Sequence, residues 1–179
     1  MIRLTKEHIW HKSIEDTDTY ADMVNMDKHL GVEITQIADN FVEAKMPVNE
    51  KTKQPFNILH GGASCVLAET VGSIGANLVL DNTEQIAVGL EINANHISSI
   101  SEGFVYAKAT PVHIGQSTSV WNIDIRDVNG KSISIYIAGG ECLNSSGIGR
   151  IDVCTGRYIY AERAISSRES RNTIGRLAS

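Results

Sequence analysis

Cysteine is scarce in this chain of 179 residues. Its three copies, Cys65, Cys142 and Cys154, are an odd number with no close spacing. Small secreted folds held by disulfides need paired cysteines at short spacings, so the sequence argues against a disulfide framework. Cys65 falls inside an apolar segment and is predicted to be a small core residue.

Long apolar runs are missing as well, since none reaches the ~18 residues of a membrane span, and the N-terminus lacks the apolar core of a signal peptide. The six histidines do not show the spacing typical of metal ligands. A net charge of −5 gives the main body no basic excess for nucleic acid. We therefore expect a metal-free cytoplasmic protein that binds neither nucleic acid nor membrane.

The ends of the chain differ from its middle in composition. Residues 1–29 are charged and end in a predicted helix from Thr17 to Lys28. Residues 144–179 hold six arginines and are rich in serine, which is typical of a solvated, poorly ordered extension. Residues 30–143 are predicted to form the single folded domain.

One segment, from Gly61 to Leu80, contains no Lys, Arg or Asp and carries a single charge, Glu69. Leu67, Val71 and Leu78 recur at helical spacing and predict an apolar stripe. The residues on the side of Glu69 are small or apolar: Gly62, Cys65, Val66, Ser73 and Ala76. A surface helix would carry cations there, so this helix is predicted to be buried all round, with Ser73 as the in-helix partner of the carboxylate.

A lone glutamate on a helix is ordinarily solvated, but burial would raise its pKa and make it a better base. Gly61 and Gly62 are compatible with a plain loop. They also suit a ligand that approaches the free N–H groups at a helix start, where negative charge is favoured. A buried base two turns from an anion site is the geometry that acyl transfer needs.

Period-two alternation surrounds this helix. A hairpin is predicted over residues 30–48 with a turn at Asp39-Asn40, and Asn129-Gly130 predicts a second tight turn. Later strands are predicted at 85–98, 103–112, 117–128 and 131–143, with Ile86, Val88, Leu90, Ile92 and Ala94 on one face of the first and Ile133, Ile135 and Ile137 on one face of the last. Antiparallel hairpins around one apolar helix predict an α+β fold, a curved sheet wrapped around that helix.

These segments also resemble a known family. The run from Gln54 to Ser73, together with the runs from Val88 to His96 and from Pro111 to Gln116, is similar to the hotdog-fold acyl-CoA thioesterases. The likeness covers about Leu30 to Leu143. It is closest to the branch of the 4-hydroxybenzoyl-CoA and phenylacetate-pathway thioesterases, and within it to the enzymes that hydrolyse 1,4-dihydroxy-2-naphthoyl-CoA in menaquinone synthesis.

The resemblance implies a hotdog fold, a thioester hydrolase without a cofactor, and coenzyme A as part of the substrate. It implies that Glu69 is nucleophile or general base, that the Gly61 N–H polarises the carbonyl, and that Gln54 positions water or thioester. His60 would orient the carbonyl or assist the leaving thiolate, and Ser73 would hold Glu69 or contact the acyl group.

The resemblance further implies that the active sites lie at a homodimer interface, with Glu69 from one subunit and Gln54, His60 and Gly61 from the other, and that dimers often pair into tetramers. Relatives tend to carry a basic side chain at Ser98-Ser99 that could hold the nucleotide phosphate, and its absence here leaves CoA affinity and the choice between CoA and a carrier protein open. Lys51, Lys53 and Lys108 are candidate substitutes, and the sequence does not choose among them. The implied substrate-binding residues are Gly62, His96, His113, Gly115, Gln116 and Ser117.

Four alternatives stay open at this point. A sister activity clears misacylated aryl carrier proteins, and a general thioesterase would accept medium-chain or aromatic acyl-CoAs. A non-catalytic acyl-CoA-binding protein of the same fold would have no need of Glu69. A dehydratase of this fold uses a differently placed His and acid pair.

Overall fold

A computed structural model describes residues 9–11, 25–80, 85–144, 151–152 and 157–158, with side chains described as far as residue 143. The elements, in chain order, are α1 (Met26–Leu30), β1 (Glu33–Ile37), β2 (Val42–Pro47), α2 (Gly61–Leu78), β3 (Gln85–His96), β4 (Phe104–Ile114), β5 (Thr118–Asp127), β6 (Ser132–Asn144), β7 (Ile151–Asp152) and β8 (Arg157–Tyr158). None of the helices within these ranges is long and apolar enough to cross a membrane.

Six strands form one antiparallel sheet in the order β1-β2-β4-β5-β6-β3, and this sheet wraps around α2. The α+β architecture and both predicted hairpin turns are confirmed. The core lies between the helix and the concave face of the sheet, where Leu67 and Val71 of α2 meet Met46, Ile123 and Tyr136, all fully buried.

Helix α2 is less enclosed than the sequence predicts. Leu67, Val71 and Leu78 are buried, but Cys65 and Glu69 are only partly covered in the single chain. In one chain the sheet covers only one side of the helix, so the predicted burial of the Glu69 side requires a second copy of the chain and stays a prediction.

The N-terminal helix also differs from its prediction. The described helix is α1, and Asn25 begins it in an extended conformation, with its side chain accepting from the Lys28 N–H. A continuous helix from Thr17 to Lys28 is thus interrupted at Asn25, and residues 17–24 lie outside the described residues. In the predicted extension, the described parts are β7 and β8, which pair with each other.

A short N-terminal segment, residues 9–11, packs across the domain. Trp10 is buried against Trp121, with ring centroids 6.1 Å apart and planes within 9° of parallel. The Trp10 indole N–H donates to the Ala38 carbonyl at 2.6 Å, and the His11 N–H donates to the Leu78 carbonyl at 2.8 Å. The segment therefore joins the β1–β2 turn to the end of α2.

Two shifts in strand pairing disrupt the apolar faces that the sequence predicts for β3 and β6. In β3 the pairing shifts between Gly89 and Glu91, so Leu90 is an extra residue and the alternation reverses there. In β6 the pairing with β5 shifts around Ile133, and the Ile133 side chain lies in the core. Ile135 and Ile137 face outward and are 38% and 46% exposed. The single apolar faces predicted for 86–94 and for 133–137 are therefore wrong, because a one-residue bulge sends later side chains to the opposite face.

Candidate active site

Helix α2 begins at His60, which serves as its N-cap. The His60 backbone is extended and its Nδ1 accepts from the Gly62 N–H at 2.8 Å. The His60 carbonyl accepts from the Ser64 N–H at 3.1 Å. Histidine is an unusual cap, which is why the sequence did not reveal this role. The Gly61 N–H has no acceptor among the described residues and stays free at the positive end of the helix.

His96, near the end of β3, packs directly on the helix start. A Cβ at Gly61 would stand 2.6 Å from His96 Nε2, so any larger residue would displace this ring. Gly61 thus does two things: it frees a backbone donor and lets an imidazole lie against the first turn of α2.

The loop before the helix fixes Gln54 beside this point. The Gln54 N–H donates to the Ile58 carbonyl at 2.9 Å, and the Gln54 side-chain oxygen accepts from the Phe56 N–H at 2.9 Å. Asn57 takes the left-handed conformation (φ 64°) that closes the turn. Since the amide oxygen is occupied, the NH₂ end of Gln54 is the part available to a ligand.

Gln54, Gly61 and His96 border one cleft of about 350 Å³. This volume is at the lower end of the range for small-molecule sites. The other lining residues are mostly apolar: Ile58, Leu59, Ile97, Ile100 and Ile133, with Ser64, Ser98 and Ser99.

Glu69 lies elsewhere on the helix, with its own partners. The Ser73 hydroxyl donates to Glu69 Oε1 at 3.1 Å, one turn further along α2. The carboxylate rests on Gly89 of β3, where a Cβ would come within 2.3 Å of Oε1. The cavity of about 10 Å³ that Glu69 borders is large enough for a single water and too small for an acyl group.

The bulge at Leu90 connects these two places. Before the bulge, Gly89 points to the concave side and meets Glu69; after it, Ile92 and His96 point to that same side. An unbroken strand would present either Gly89 or His96 to the helix, not both. Sequence reasoning missed Gly89, although a glycine inside a strand pattern is a signal for close approach.

The turn between β4 and β5 holds the other predicted binding residues. His113 is exposed, and the Gly115 N–H closes the turn by donating to the Thr118 carbonyl at 2.9 Å. Gln116 and Ser117 are exposed at its tip. Ser119 pairs with Gly140, which in turn pairs with Gly89, so this turn lies at the Glu69 end of the sheet.

None of the three predicted cations is shown at the cleft. Lys108 places its ammonium over the Phe41 ring, 3.6 Å from the centroid, and Lys51 and Lys53 are not among the cleft residues. Lys131, which sequence reasoning did not select, reaches to 3.4 Å from the Ser99 carbonyl and so borders the cleft. No metal-binding group of His, Cys, Asp or Glu occurs in the described part of the chain.

The predicted site residues thus fall into two groups. Gln54, His60, Gly61, Gly62 and His96 gather at the start of α2, whereas Glu69 and Ser73 lie further along it. Gly61 and Glu69 are just over two helical turns apart, which is roughly 12 Å along the axis. A single chain therefore does not bring the carboxylate to the free N–H.

Comparison with known proteins gives a consistent result. Residues 56–134 match the family model described as the thioesterase superfamily. The chain is 49% identical over 107 residues to the 1,4-dihydroxy-2-naphthoyl-CoA hydrolase of Escherichia coli (60% of this chain, 78% of that protein). It is 44% identical over 104 residues to a proofreading thioesterase of Cronobacter turicensis (58% of this chain, 75% of that protein).

Solved structures agree. The crystal structure of a thioesterase from Haemophilus influenzae superposes with a TM-score of 0.73 at 37% identity, covering 79% of this chain and 99% of that one. A thioesterase from Pseudomonas aeruginosa, solved as a mutant, gives 0.71 at 34% identity, covering 76% and 99%.

Proposed function

The chain belongs to the thioesterase superfamily and is a thioester hydrolase, and from this premise we propose that its substrate is an aryl acyl-CoA, with 1,4-dihydroxy-2-naphthoyl-CoA as the first candidate. The observation that carries the proposal is the pair of half-sites on α2: a free N–H beside an apolar cleft, and a carboxylate held by Ser73. The likeness to the Escherichia coli hydrolase supports the choice of acyl group.

A complete site requires a second copy of the chain. Cys65 lies midway between Gly61 and Glu69, so a twofold axis passing near Cys65 would set Glu69 of one subunit opposite Gly61 of its partner. The side of α2 that carries Glu69 is partly exposed in one chain, and its other side chains are small, which permits two helices to approach: Cys65, Val66 and Ser73. We expect two such sites per dimer.

Pairing of dimers would cover a second surface. Ile135 and Ile137 stand exposed on the convex face of the sheet, away from α2. Burying them between two dimers would remove apolar area from water, which supports a tetramer.

Hydrolysis follows from the completed geometry. The thioester carbonyl oxygen accepts from the Gly61 N–H, which stabilises the oxyanion by about 2.7–4 kcal/mol relative to a site without that donor. Glu69 of the partner removes a proton from water as the water oxygen attacks the carbonyl carbon. Collapse of the tetrahedral intermediate breaks the C–S bond, and the CoA thiolate leaves with the proton that Glu69 holds.

Direct attack by Glu69 on the carbonyl carbon would need the same arrangement of Glu69 and Gly61. The carboxylate oxygen would bond to the carbonyl carbon, the thiolate would leave, and water would hydrolyse the resulting anhydride. Rapid quenching of a single turnover separates the routes, because direct attack predicts a covalent acyl adduct on Glu69 that mass spectrometry detects, and general-base catalysis predicts none.

We assign the nucleotide phosphate to Lys131. Ser98 and Ser99 line the cleft without charge, and the Lys131 ammonium lies against the Ser99 carbonyl at its edge. The ammonium is exposed, so it can turn toward a phosphate oxygen once CoA is bound.

Thiol release from a panel of thioesters tests the proposed substrate. The panel contains dihydroxynaphthoyl-CoA, benzoyl-CoA, a medium-chain acyl-CoA and a misacylated aryl carrier protein. We expect the highest kcat/KM with dihydroxynaphthoyl-CoA. The likeness to the proofreading thioesterase makes the carrier protein the second candidate, and a higher kcat/KM with it would replace the first proposal. Binding without thiol release would indicate a non-catalytic acyl-CoA-binding protein.

A further inference from the structure

A buried tyrosine stands behind His96. Tyr136 of β6 is 0% exposed, and its hydroxyl oxygen lies 3.5 Å from His96 Nδ1. The two rings meet edge to face, with centroids 5.9 Å apart and planes at 79°. Tyr136 pairs with Ala94 and His96 pairs with Ser134, so the two side chains are diagonal neighbours on the concave face. This geometry places the phenol at the Nδ1 edge of the imidazole ring.

The protonation state of Tyr136 decides whether its hydroxyl can donate a hydrogen bond. Burial raises the pKa of Tyr136, so the hydroxyl stays protonated at neutral pH. Interactions with the Ser134 and Ser64 hydroxyls lower the pKa of Tyr136, as donors to its oxygen do, so they leave the phenolic O–H free to donate. A buried phenolic O–H needs an acceptor, and of the two groups within reach, His96 Nδ1 at 3.5 Å is a stronger acceptor than the Cys65 thiol. If Nδ1 of a neutral imidazole accepts a hydrogen bond, the ring proton is on Nε2.

Nε2 is the nitrogen that lies against Gly61. With the proton there, His96 presents an N–H donor at the same point of the cleft where the Gly61 N–H is free. We propose that Tyr136 is a positioning residue, which holds His96 in the Nε2–H tautomer so that this N–H acts with Gly61 as a second donor to the thioester carbonyl oxygen. The expected effect on kcat rests on the proposed hydrolysis, whereas the expected tautomer of His96 does not depend on it.

The tautomer can be measured without any substrate. In ¹⁵N-histidine-labelled protein, NMR of the imidazole nitrogens, assigned with a His96→Ala variant, should show His96 neutral with its proton on Nε2. In Tyr136→Phe the ring packing is kept and only the hydroxyl is lost, so the signals should move toward a mixture of both tautomers. A wild-type His96 with its proton on Nδ1 would overturn the proposal even if the variant failed to fold.

Kinetics give the second measurement. Tyr136→Phe should lower kcat about fivefold to tenfold, the effect of one buried hydrogen bond, while KM changes less than twofold. Tyr106→Phe is the matched control, because Tyr106 pairs with Arg126 on β5 and lies only partly buried, outside the cleft. It should leave kcat and KM unchanged.

A double-mutant cycle distinguishes positioning from a general loss of packing. If Tyr136 acts through His96, Tyr136→Phe should have no further effect on kcat in a His96→Ala background. Equal effects in both backgrounds would contradict the proposal. An inactive wild type with the Nε2–H tautomer would refute the proposed substrates and leave the role of Tyr136 in place.

Discussion

Glu69 and Gly89 lie so close together that any side chain at position 89 would displace the carboxylate. A Cβ at Gly89 would lie 2.3 Å from Glu69 Oε1 and 3.2 Å from its carboxyl carbon. The strand that carries Gly89 is an edge strand of the sheet, so this contact holds the carboxylate at the border of the sheet.

Gly89→Ala should therefore displace the carboxylate while the fold survives, because a glutamate side chain can turn away from the added methyl. We expect kcat to fall about 100-fold, the cost of a displacement of about 1 Å in a reacting group. Turnover of purified protein, with thermal unfolding as the measure of folding, checks this. Unchanged kcat in a folded variant would mean that Glu69 need not stay where the structure places it.

Glu69→Gln keeps the size of the side chain and removes its basicity and charge. Turnover should fall by about 10²–10⁴-fold, the range for loss of a general base, while the melting temperature stays close to that of the wild type. Glu91→Gln is the matched control, because Glu91 is exposed on the same strand and lies outside both half-sites. Comparable turnover in the two variants would refute the role of Glu69.

Lys131→Ala should weaken binding of the nucleotide part of CoA. We expect KM for an acyl-CoA to rise about threefold to fivefold, as for loss of one exposed charge contact, with no change for the acyl-pantetheine thioester that lacks the nucleotide. Lys108→Ala, whose ammonium lies over Phe41 instead, should change neither value. An equal rise in KM for both substrates would exclude a phosphate contact.

Trp10 is expected to stabilise the domain rather than the chemistry. Trp10→Ala removes the stacking on Trp121 and the hydrogen bond to the Ala38 carbonyl, so the free energy of unfolding should fall by about 3 kcal/mol or more. Trp10→Phe keeps a ring in place but lacks the N–H, and should lose less. Urea denaturation gives both values, and a loss below about 1 kcal/mol for the alanine variant would show that the N-terminal segment adds little to the free energy of unfolding.

Much of the architecture was readable from the sequence because it depends on periodicity. The apolar run after Gly61 with one charge predicted α2, and Asn129-Gly130 predicted the β5–β6 turn, where Gly130 has the positive φ of 81° that such turns require. Ser73, four residues after Glu69, was identified as its partner because helical spacing alone sets that contact.

The remainder depends on contacts that no local pattern contains. The bulge at Leu90 reverses the strand, and only then do Gly89 and His96 both face the helix. Tyr136 reaches His96 through strand pairing between distant segments, and Lys131 reaches Ser99 across a hairpin. Isoleucines at 135 and 137 suggested a core face, although the core at this point is formed by Ser134, Tyr136 and Ala138.

Subunit mixing tests most directly whether each site takes Glu69 from one chain and the Gln54–Gly61 region from another. Glu69→Gln and Gln54→Ala homodimers should each be nearly inactive. After unfolding and refolding together in equal amounts, the account predicts recovery of roughly a quarter of wild-type turnover, because half the dimers are mixed and each mixed dimer has one site with both residues intact. Turnover no higher than the average of the two variants alone would contradict a shared site, since residues of one chain would then have to serve that chain's own reaction.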